Sequence, residues 1–455
     1  MTKNDIIIAQ ATANGVGAVS IVRLSGLGCI DLVDNQFSKD LSEKDSHTIH
    51  YGRLSNLDKA PIDDCMVAIF RNPTSYTRED CVEIYAHGSP YIVQRIIHTF
   101  LEKGARMAEK GEFTMRAFLN GQLDLTQAEA VADLISADTD KSHLIALEQL
   151  RGGYSQKLKV LRADLIQLAS LLELELDFGE EDVEFAERSQ LRSTTLAMGV
   201  EVNKLLDSYE AGNAIKSGIK TVIAGKPNSG KSTLLNALLQ DDRAIVSPTA
   251  GTTRDTIEEE LILEGIKYLL TDTAGLHHSV DQIELAGIDK AKNKLKLADL
   301  VLYVTDSSEL SDSSHLLKEI EALTFTGKLL LILNKSDLAR KNIESVLPEN
   351  FHIPFLFCSA KEGHNIKALK SKMSKMVIQE EITDGSILTN QRHYDALLKT
   401  REALTQLEAG LDNQLSGDLL AIHIKDALHQ IGLITGEIST DDLLDNIFSS
   451  FCIGK

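Results

Sequence analysis

Along the first 120 residues the apolar positions fall in short runs separated by turn residues. The runs at 6–9, 18–24, 66–70 and 82–85 predict strands. Ile92, Ile96, Ile97, Phe100 and Leu101 recur at helical spacing and predict a helix over 91–101. Together these describe an α+β module. After Gly121 the period changes. Leu125, Ala128, Val131, Leu134 and Ile135 open a largely helical stretch that continues through 144–150, 158–176 and 190–211. The acidic run at 177–187 interrupts it and reads as a solvated loop. Gly212 and Gly218 bracket a linker. Apolar runs at 221–224, 268–270, 329–333 and 355–357 then predict strands of an α/β domain. Helical spacing resumes after residue 378, over 394–411 and 419–434, and Ser439-Thr440 reads as a helix start before 443–447. The simplest architecture is multidomain. An α+β domain at 1–120 precedes an all-α domain in two parts, 121–217 and 379–455, with the α/β domain 218–378 inserted between them. An insert is tolerated when its ends lie close together. No internal repeat or low-complexity segment is visible.

The inserted domain carries the most specific chemistry. Residues 225–232 read Gly-Lys-Pro-Asn-Ser-Gly-Lys-Ser, the G-x-x-x-x-G-K-[ST] pattern, placed between an apolar run and an amphipathic one. Backbone N–H groups of such a loop point at phosphates, and the next helix turns its positive end to the same spot. Asn228, Ser229, Gly230, Lys231, Ser232 and Thr233 are the phosphate-side candidates. Lys231 would reach the β- and γ-phosphates, and the Ser232 hydroxyl would meet Mg²⁺. Downstream, Thr252 and Thr253 precede Arg254-Asp255 in a Gly/Thr-rich loop suited to sensing a γ-phosphate. Asp272, Thr273, Ala274 and Gly275 end an apolar run, with a carboxylate on the Mg²⁺ side and a glycine N–H for the γ-phosphate. Asn334, Lys335, Ser336 and Asp337 follow another. Asp337 can accept from both guanine N1–H and N2–H, a donor pair that adenine lacks. Ser359, Ala360 and Lys361 follow a third, with a backbone N–H for the guanine carbonyl. In this order and at strand ends these strings specify a P-loop GTPase (G) domain that binds GTP.

How GTP would be hydrolysed is less explicit. Leu276 follows Asp272-Thr273-Ala274-Gly275, where Ras-like proteins place a water-orienting Gln. Arg254 is an arginine-finger candidate by position, but a salt-bridged loop arginine explains it as well. Asn228 presents a side-chain carbonyl that could hold a monovalent cation, or it is a plain turn residue. Glu284 could position the attacking water. By sequence alone a solvated helix-face carboxylate is the commoner explanation.

Composition narrows the setting. At 455 residues several domains are expected, with 43% hydrophobic and 25% charged residues as in ordinary globular proteins. Cys29, Cys65, Cys81, Cys358 and Cys452 lack metal-site or disulfide-framework spacing. No signal peptide and no run of roughly 18 apolar residues is present, so no membrane is expected and a reduced cytoplasmic compartment fits. The formal charge of −20 argues against a chain that grips nucleic acid alone.

Longer strings resemble one family. Ile8-Ala9-Gln10-Ala11-Thr12, Val22-Arg23-Leu24-Ser25-Gly26, Gly111-Glu112-Phe113-Thr114, Arg116-Ala117-Phe118-Leu119-Asn120-Gly121 and Leu123-Asp124-Leu125-Thr126-Gln127-Ala128-Glu129-Ala130 are such strings. With the tail Phe451-Cys452-Ile453-Gly454-Lys455, they resemble the bacterial tRNA-modification GTPases of the MnmE (TrmE) family over essentially the full chain. The resemblance implies a homodimer formed through the N-terminal module, which binds 5-formyl or methylene tetrahydrofolate. Arg23, Glu83 and Lys455 match folate contacts. Gln122 stands where a lysine is common, which would either weaken the folate contact or leave it to a neighbour such as Arg116. It implies a partner, the FAD-containing flavoprotein MnmG, in a heterotetramer. Together they would add an aminomethyl or carboxymethylaminomethyl group to the wobble uridine of certain tRNAs, with much of the tRNA-gripping surface on the partner. It also implies K⁺-stimulated GTP hydrolysis. Asn228, Ser247, Thr249 and Thr252 would enclose K⁺, Ser232 and Thr253 would bind Mg²⁺, Glu284 would orient water, and Cys452 would lie near the folate as a catalytic or structural thiol. The alternative from another class is a GTP-driven regulatory switch or ribosome-assembly GTPase without RNA chemistry. Folate binding separates the two.

Overall fold

The computed structural model describes residues 5–177, 188–240, 259–272, 294–310, 313–338, 351–377 and 387–455. Contacts divide the chain into two compact units. One comprises Met1–Ser136, Ala146–Asn203 and Asp395–Lys455, the other Ala137–Ile145 and Lys204–Tyr394.

The first unit begins with β1 (Ile7–Gln10), β2 (Val19–Ser25), α1 (Cys29–Asp34), β3 (Thr48–Ser55), β4 (Pro61–Phe70), β5 (Cys81–His87), α2 (Pro90–Leu101), β6 (Arg106–Met107) and α3 (Glu112–Leu119). The sheet order is β3-β4-β5-β2-β1-β6, antiparallel except for the parallel β1–β6 pair. Alternation decides its faces. Ile8, Val22, Leu24, Val67, Ile69, Val82 and Ile84 pack under Ile30 and Val33 of α1 and Val93, Ile96 and Phe100 of α2. At the β1 end of the other face, Ile7 and Ala9 pack with Phe113 of α3. The β3 strand is absent from the sequence-based reading. It is an edge strand with Ile49 and Tyr51 exposed, and His50, Gly52 and Arg53 break its apolar run.

The same unit holds α4 (Leu125–Ser136), the C-terminal part of α5 (Asp140–Leu150), α6 (Gly153–Asp177) and all but the last turn of α7 (Arg188–Asp207). Buried Leu158, Leu161, Leu165, Leu168 and Leu172 give α6 an alternating three-four stripe. That stripe packs on α13 (Gly417–Thr435), whose Leu420, Ile424, Ala427, Ile431 and Ile434 repeat the spacing. Matched stripes of this kind favour shallow-angle packing. The last helix of the chain is α14 (Asp441–Phe448), capped by the Thr440 hydroxyl, which accepts from the Leu443 N–H at 3.3 Å.

The second unit contains α8 (Tyr209–Ser217), β7 (Ile219–Ala224), α9 (Lys231–Leu239), β8 (Glu259–Leu263), β9 (Ile266–Asp272), β10 (Leu300–Asp306), α10 (Ser313–Glu321), β11 (Lys328–Asn334), β12 (Phe355–Phe357) and α11 (Ile366–Val377). The start of α12 (Gln391–Asp412) also belongs to it. Its sheet order is β12-β11-β10-β7-β9-β8, parallel except for the β8–β9 hairpin. β10 is apolar over residues 300–304 because both faces are covered there. Leu300, Leu302 and Val304 face α9 and α11, while Val301 and Tyr303 face Leu316 and Ile320 of α10. One sequence expectation is corrected. Gly212 does not bracket a linker but lies inside α8, where a Cβ would sit 2.2 Å from the Leu388 carbonyl oxygen.

Candidate functional site

The chain leaves β7 and returns on its far side through β10, so the loop after β7 opens at the point where strand order reverses. Ligands of open α/β sheets bind there. Residues 225–230 form this loop and α9 starts at Lys231. Gly230 has φ 96°, and a Cβ on it would approach the Asn334 side-chain nitrogen to 2.2 Å, so backbone conformation and packing both require glycine. Lys231 is buried, and its ammonium donates to the carbonyls of Gly225 at 3.0 Å and Lys226 at 2.8 Å. The cation thus underlies the loop. Ser232 and Thr233 are exposed on the first turn of α9, and Asn228 is exposed within the loop with φ 62°. Asp272 ends β9, in register beside Ile223 of β7.

The base-side residues meet the phosphate loop through one side chain. Asn334, 2% exposed, donates from Nδ2 to the Ser229 carbonyl at 2.9 Å. Its Oδ1 accepts from the Ala360 N–H at 3.0 Å. A single carboxamide therefore ties residues 225–230 to Ser359-Ala360-Lys361. Ser359 and Ala360 are buried, while Lys361 and Asp337 are exposed. A hydrogen bond from the Ser359 side chain, aided by the Lys361 charge, holds the Asp337 carboxyl below its ordinary range. An exposed, ionised carboxylate beside a buried amide staple is the arrangement a guanine edge requires. Sequence reasoning missed Asp306, whose Oδ2 accepts from the Lys335 ammonium at 2.6 Å. Burial would raise the Asp306 carboxyl, but Lys335 and the Ser308 donors hold it low. Its place at the carboxyl end of an apolar strand was the available signal. Ser247, Thr249, Thr252, Thr253, Arg254, Thr273, Ala274, Gly275 and Glu284 lie outside the described residues.

A second constellation lies on the N-terminal sheet. Arg23 and Glu83 are cross-strand partners on β2 and β5, with Arg23 Nε 2.8 Å from Glu83 Oε1. The Tyr85 hydroxyl donates to Glu83 Oε2 at 2.7 Å. Burial, together with that carboxylate, pushes the Tyr85 hydroxyl up to about 12, so it stays a donor. The Arg23 guanidinium lies 5.5 Å from the Tyr76 ring centroid and 5.6 Å from that of Phe113, within cation–π range of both. Tyr76 and Tyr85, like Asp306, carry no motif. Arg116 is committed elsewhere. It is buried and binds Asp5, Glu79 and Glu112, so its guanidinium is already paired within the domain. Gln122 is exposed, and its Oε1 accepts from Arg78 Nε at 2.9 Å.

The C-terminal tail reaches the same sheet. Phe448 and Phe451 are buried with Met115, Leu125 and Leu444. The Cys452 carbonyl accepts from the Gly111 N–H at 3.3 Å, and Ile453 bridges to Lys110. Gly454 has φ 96°, and a Cβ there would meet the Gln10 carbonyl oxygen at 2.2 Å. Gln10 adjoins Ala9, the pairing partner of Arg23. Lys455 follows, half-buried. Cys452 is exposed, whereas the other four cysteines are buried. Among the described residues no group of three or more His, Cys, Asp or Glu is placed to hold a metal, and no helix is long and apolar enough to cross a membrane.

Residues 6–122 match the description "GTP-binding protein TrmE N-terminus", and residues 125–452 match "MnmE helical domain". The tRNA modification GTPase MnmE of Flavobacterium johnsoniae is 46% identical over 100% of both chains. That of Cytophaga hutchinsonii is 46% identical over 99% of this chain and 98% of its own. That of Bacteroides thetaiotaomicron is 43% identical over 99% of each. Matched from end to end, and carrying the phosphate loop and base-side cluster in one sheet, the chain belongs to the family of tRNA modification GTPases called MnmE.

Proposed function

We propose that this GTP-hydrolysing enzyme acts as one half of a tRNA-modifying complex. As a homodimer it works with the flavoprotein MnmG to place an aminomethyl or carboxymethylaminomethyl group on the wobble uridine of certain tRNAs. The segments 1–120, 121–217 with 379–455, and 218–378 serve as folate-binding, helical and G domains. In the G domain Asp337 reads the guanine edge, the Ala360 region meets its carbonyl, and Lys231 with the loop amides holds the phosphates. Ser232 and Thr253 would take Mg²⁺. Asn228, Ser247, Thr249 and Thr252 would take K⁺, and Glu284 would orient the attacking water. The donors described, an exposed hydroxyl and an exposed carboxamide at the phosphate loop, are the oxygen ligands that hard cations prefer.

The N-terminal cluster fits a reduced pterin. Such a ring offers adjacent N–H donors to a carboxylate and a planar face to aromatic rings. Glu83, fixed by Arg23 and Tyr85, supplies the first complement, and Tyr76 and Phe113 lie beside it. When bound, the folate supplies the one-carbon unit and the partner's FAD the redox capacity. This chain's residues bind the folate, exclude water around it and present the Cys452 thiol nearby. The observation that carries the proposal is the tail seated on β1, one residue from the pairing partner of Arg23. A regulatory switch has no use for that convergence.

Calorimetric titration with 5-formyltetrahydrofolate tests it. Binding that Glu83→Ala weakens by at least an order of magnitude, with GTP affinity intact, is the expected outcome. Absence of folate binding by the native dimer would overturn the folate assignment and favour a plain GTP-driven switch.

A further inference from the structure

Asp306 ends β10 in parallel register beside Asn334 at the end of β11. Its side chain is only 10% exposed. Oδ1 accepts from the Ser308 N–H at 2.9 Å and from the Ser308 hydroxyl at 2.6 Å. Oδ2 accepts from the Lys335 ammonium at 2.6 Å. The intervening chain is pinned where the Ser307 N–H donates to the Asn334 carbonyl at 2.8 Å. The carboxylate therefore has a fixed direction, and Lys335 is its target. Lys335 holds φ 58°, a left-handed conformation that costs a side-chain-bearing residue energy and persists only where the surroundings over-determine it. It stands between the buried amide staple Asn334 and the exposed Asp337. With its ammonium anchored, the four-carbon stem cannot sweep through solvent. A partly exposed ion pair adds little to stability by itself, so three hydrogen bonds converging on one carboxylate at the base-side loop call for another role.

We infer that Asp306 is a positioning residue for the guanine nucleotide. By holding the Lys335 ammonium it fixes the lysine stem as an apolar wall for the face of the base, while Asp337 reads the edge. This rests on assigning Asn334 to Asp337 as the guanine site.

The test is stopped-flow dissociation of fluorescent GDP and XDP analogues from the full chain, with steady-state GTP turnover alongside. Asp306→Asn keeps an acceptor for Ser308 and loses the charge. It is expected to speed GDP dissociation about tenfold, with the change in turnover carried by KM rather than kcat. Asp306→Glu restores part of the loss. In an Asp337→Asn background, which shifts preference from guanine to xanthine, Asp306→Asn speeds XDP dissociation by a similar factor, because a wall for the ring face is indifferent to the edge. Combined with Lys335→Met, Asp306→Asn adds nothing further. Wild-type dissociation from Asp306→Asn, or effects that add with Lys335→Met, overturns the inference. If Asp337→Asn leaves the guanine preference unchanged, the site assignment fails first and the inference with it. Melting curves check folding. Should Asp306→Asn not fold, Ser308→Ala takes its place. It removes one of the two Ser308 donors that orient the carboxylate, and faster GDP release is again expected, with an unchanged rate counting against the proposal.

Discussion

Two residues of one four-residue motif do different work, and the difference is visible in their exposure. Asn334 is buried with both ends of its carboxamide engaged, and it joins two loops. Asp337 is exposed, ionised and available. Removing Asn334 leaves a buried carbonyl at Ser229 and a buried N–H at Ala360 without partners. Asn334→Ala is therefore expected to cost about 2–3 kcal/mol of folding stability besides weakening nucleotide binding. Denaturant melts of the nucleotide-free protein check this, and a midpoint equal to wild type would show the staple to be dispensable. Cysteines divide in the same way. Burial pushes the thiols of Cys65, Cys81 and Cys358 up to about 12 and raises that of Cys29 well above its ordinary value, while Cys452 alone is exposed. Since the thiolate is the reactive form, a thiol reagent should titrate one fast equivalent in the native protein, and Cys452→Ser should abolish it. Several fast equivalents would contradict the packing around the buried four.

Elements were legible where one period persisted. The α6 and α13 stripes, β11 with both faces apolar, and the helix start at Thr440 all carry unbroken local signals, whereas β10 is absent from the strands expected from the sequence. Edge strand β3 was not legible, since half of its side chains face solvent and a glycine divides it. Glycines misled where packing, not chain direction, demanded them, as at Gly212 inside α8. The candidate site divides similarly. The phosphate loop and the two base-side strings stand in the sequence because backbone geometry restricts their residue types. Tyr76 and Tyr85 act through tertiary neighbours, so nothing local marks them, and Asp306 is marked only by its place at the end of an apolar strand. The charge network joining Asp5, β6 and α3 belongs to this second kind. Glu112, 1% exposed, binds Arg106 and Arg116, which also bind Asp5. Burial alone would raise both carboxyls, but the arginines hold Asp5 below its ordinary 3.8 and Glu112 below 4.5. Depressed carboxyls bind fewer protons folded than unfolded. Their stabilisation is thus complete above those ordinary values and is lost as pH falls through the lower folded ones. The melting temperature of the N-terminal unit should be flat from pH 7 to about 5 and drop below it. Glu112→Gln should lower the plateau and flatten the drop. An unchanged acid limb in that variant would remove the network as its cause.

At the scale of the whole molecule, charge and catalysis both point outside the single chain. A formal charge of −20 argues against a chain that grips tRNA phosphates alone, which is why the proposed complex assigns much of that surface to its flavoprotein partner. The hydrolytic step has a similar gap. Leu276 occupies the place of a water-orienting Gln and cannot hydrogen-bond water. Charge developing on the transferring phosphoryl group still has to be met by a positive counterpart. On the proposed reading a monovalent cation at Asn228 supplies it, and Glu284 holds the water. A ring of neutral oxygens discriminates cations by fit and by dehydration, so K⁺ and Na⁺ should not be equivalent. GTP turnover is expected to be higher in K⁺ than in Na⁺ by about an order of magnitude or more. Asn228→Ala should remove the difference between the salts, and Glu284→Ala should remove turnover in both. Measuring the three proteins in matched chloride buffers separates the alternatives. Equal rates in the two salts would return the counter-charge to Arg254 or to an activating protein. K⁺ dependence that survives Asn228→Ala would move the cation elsewhere in the loop while keeping the need for it.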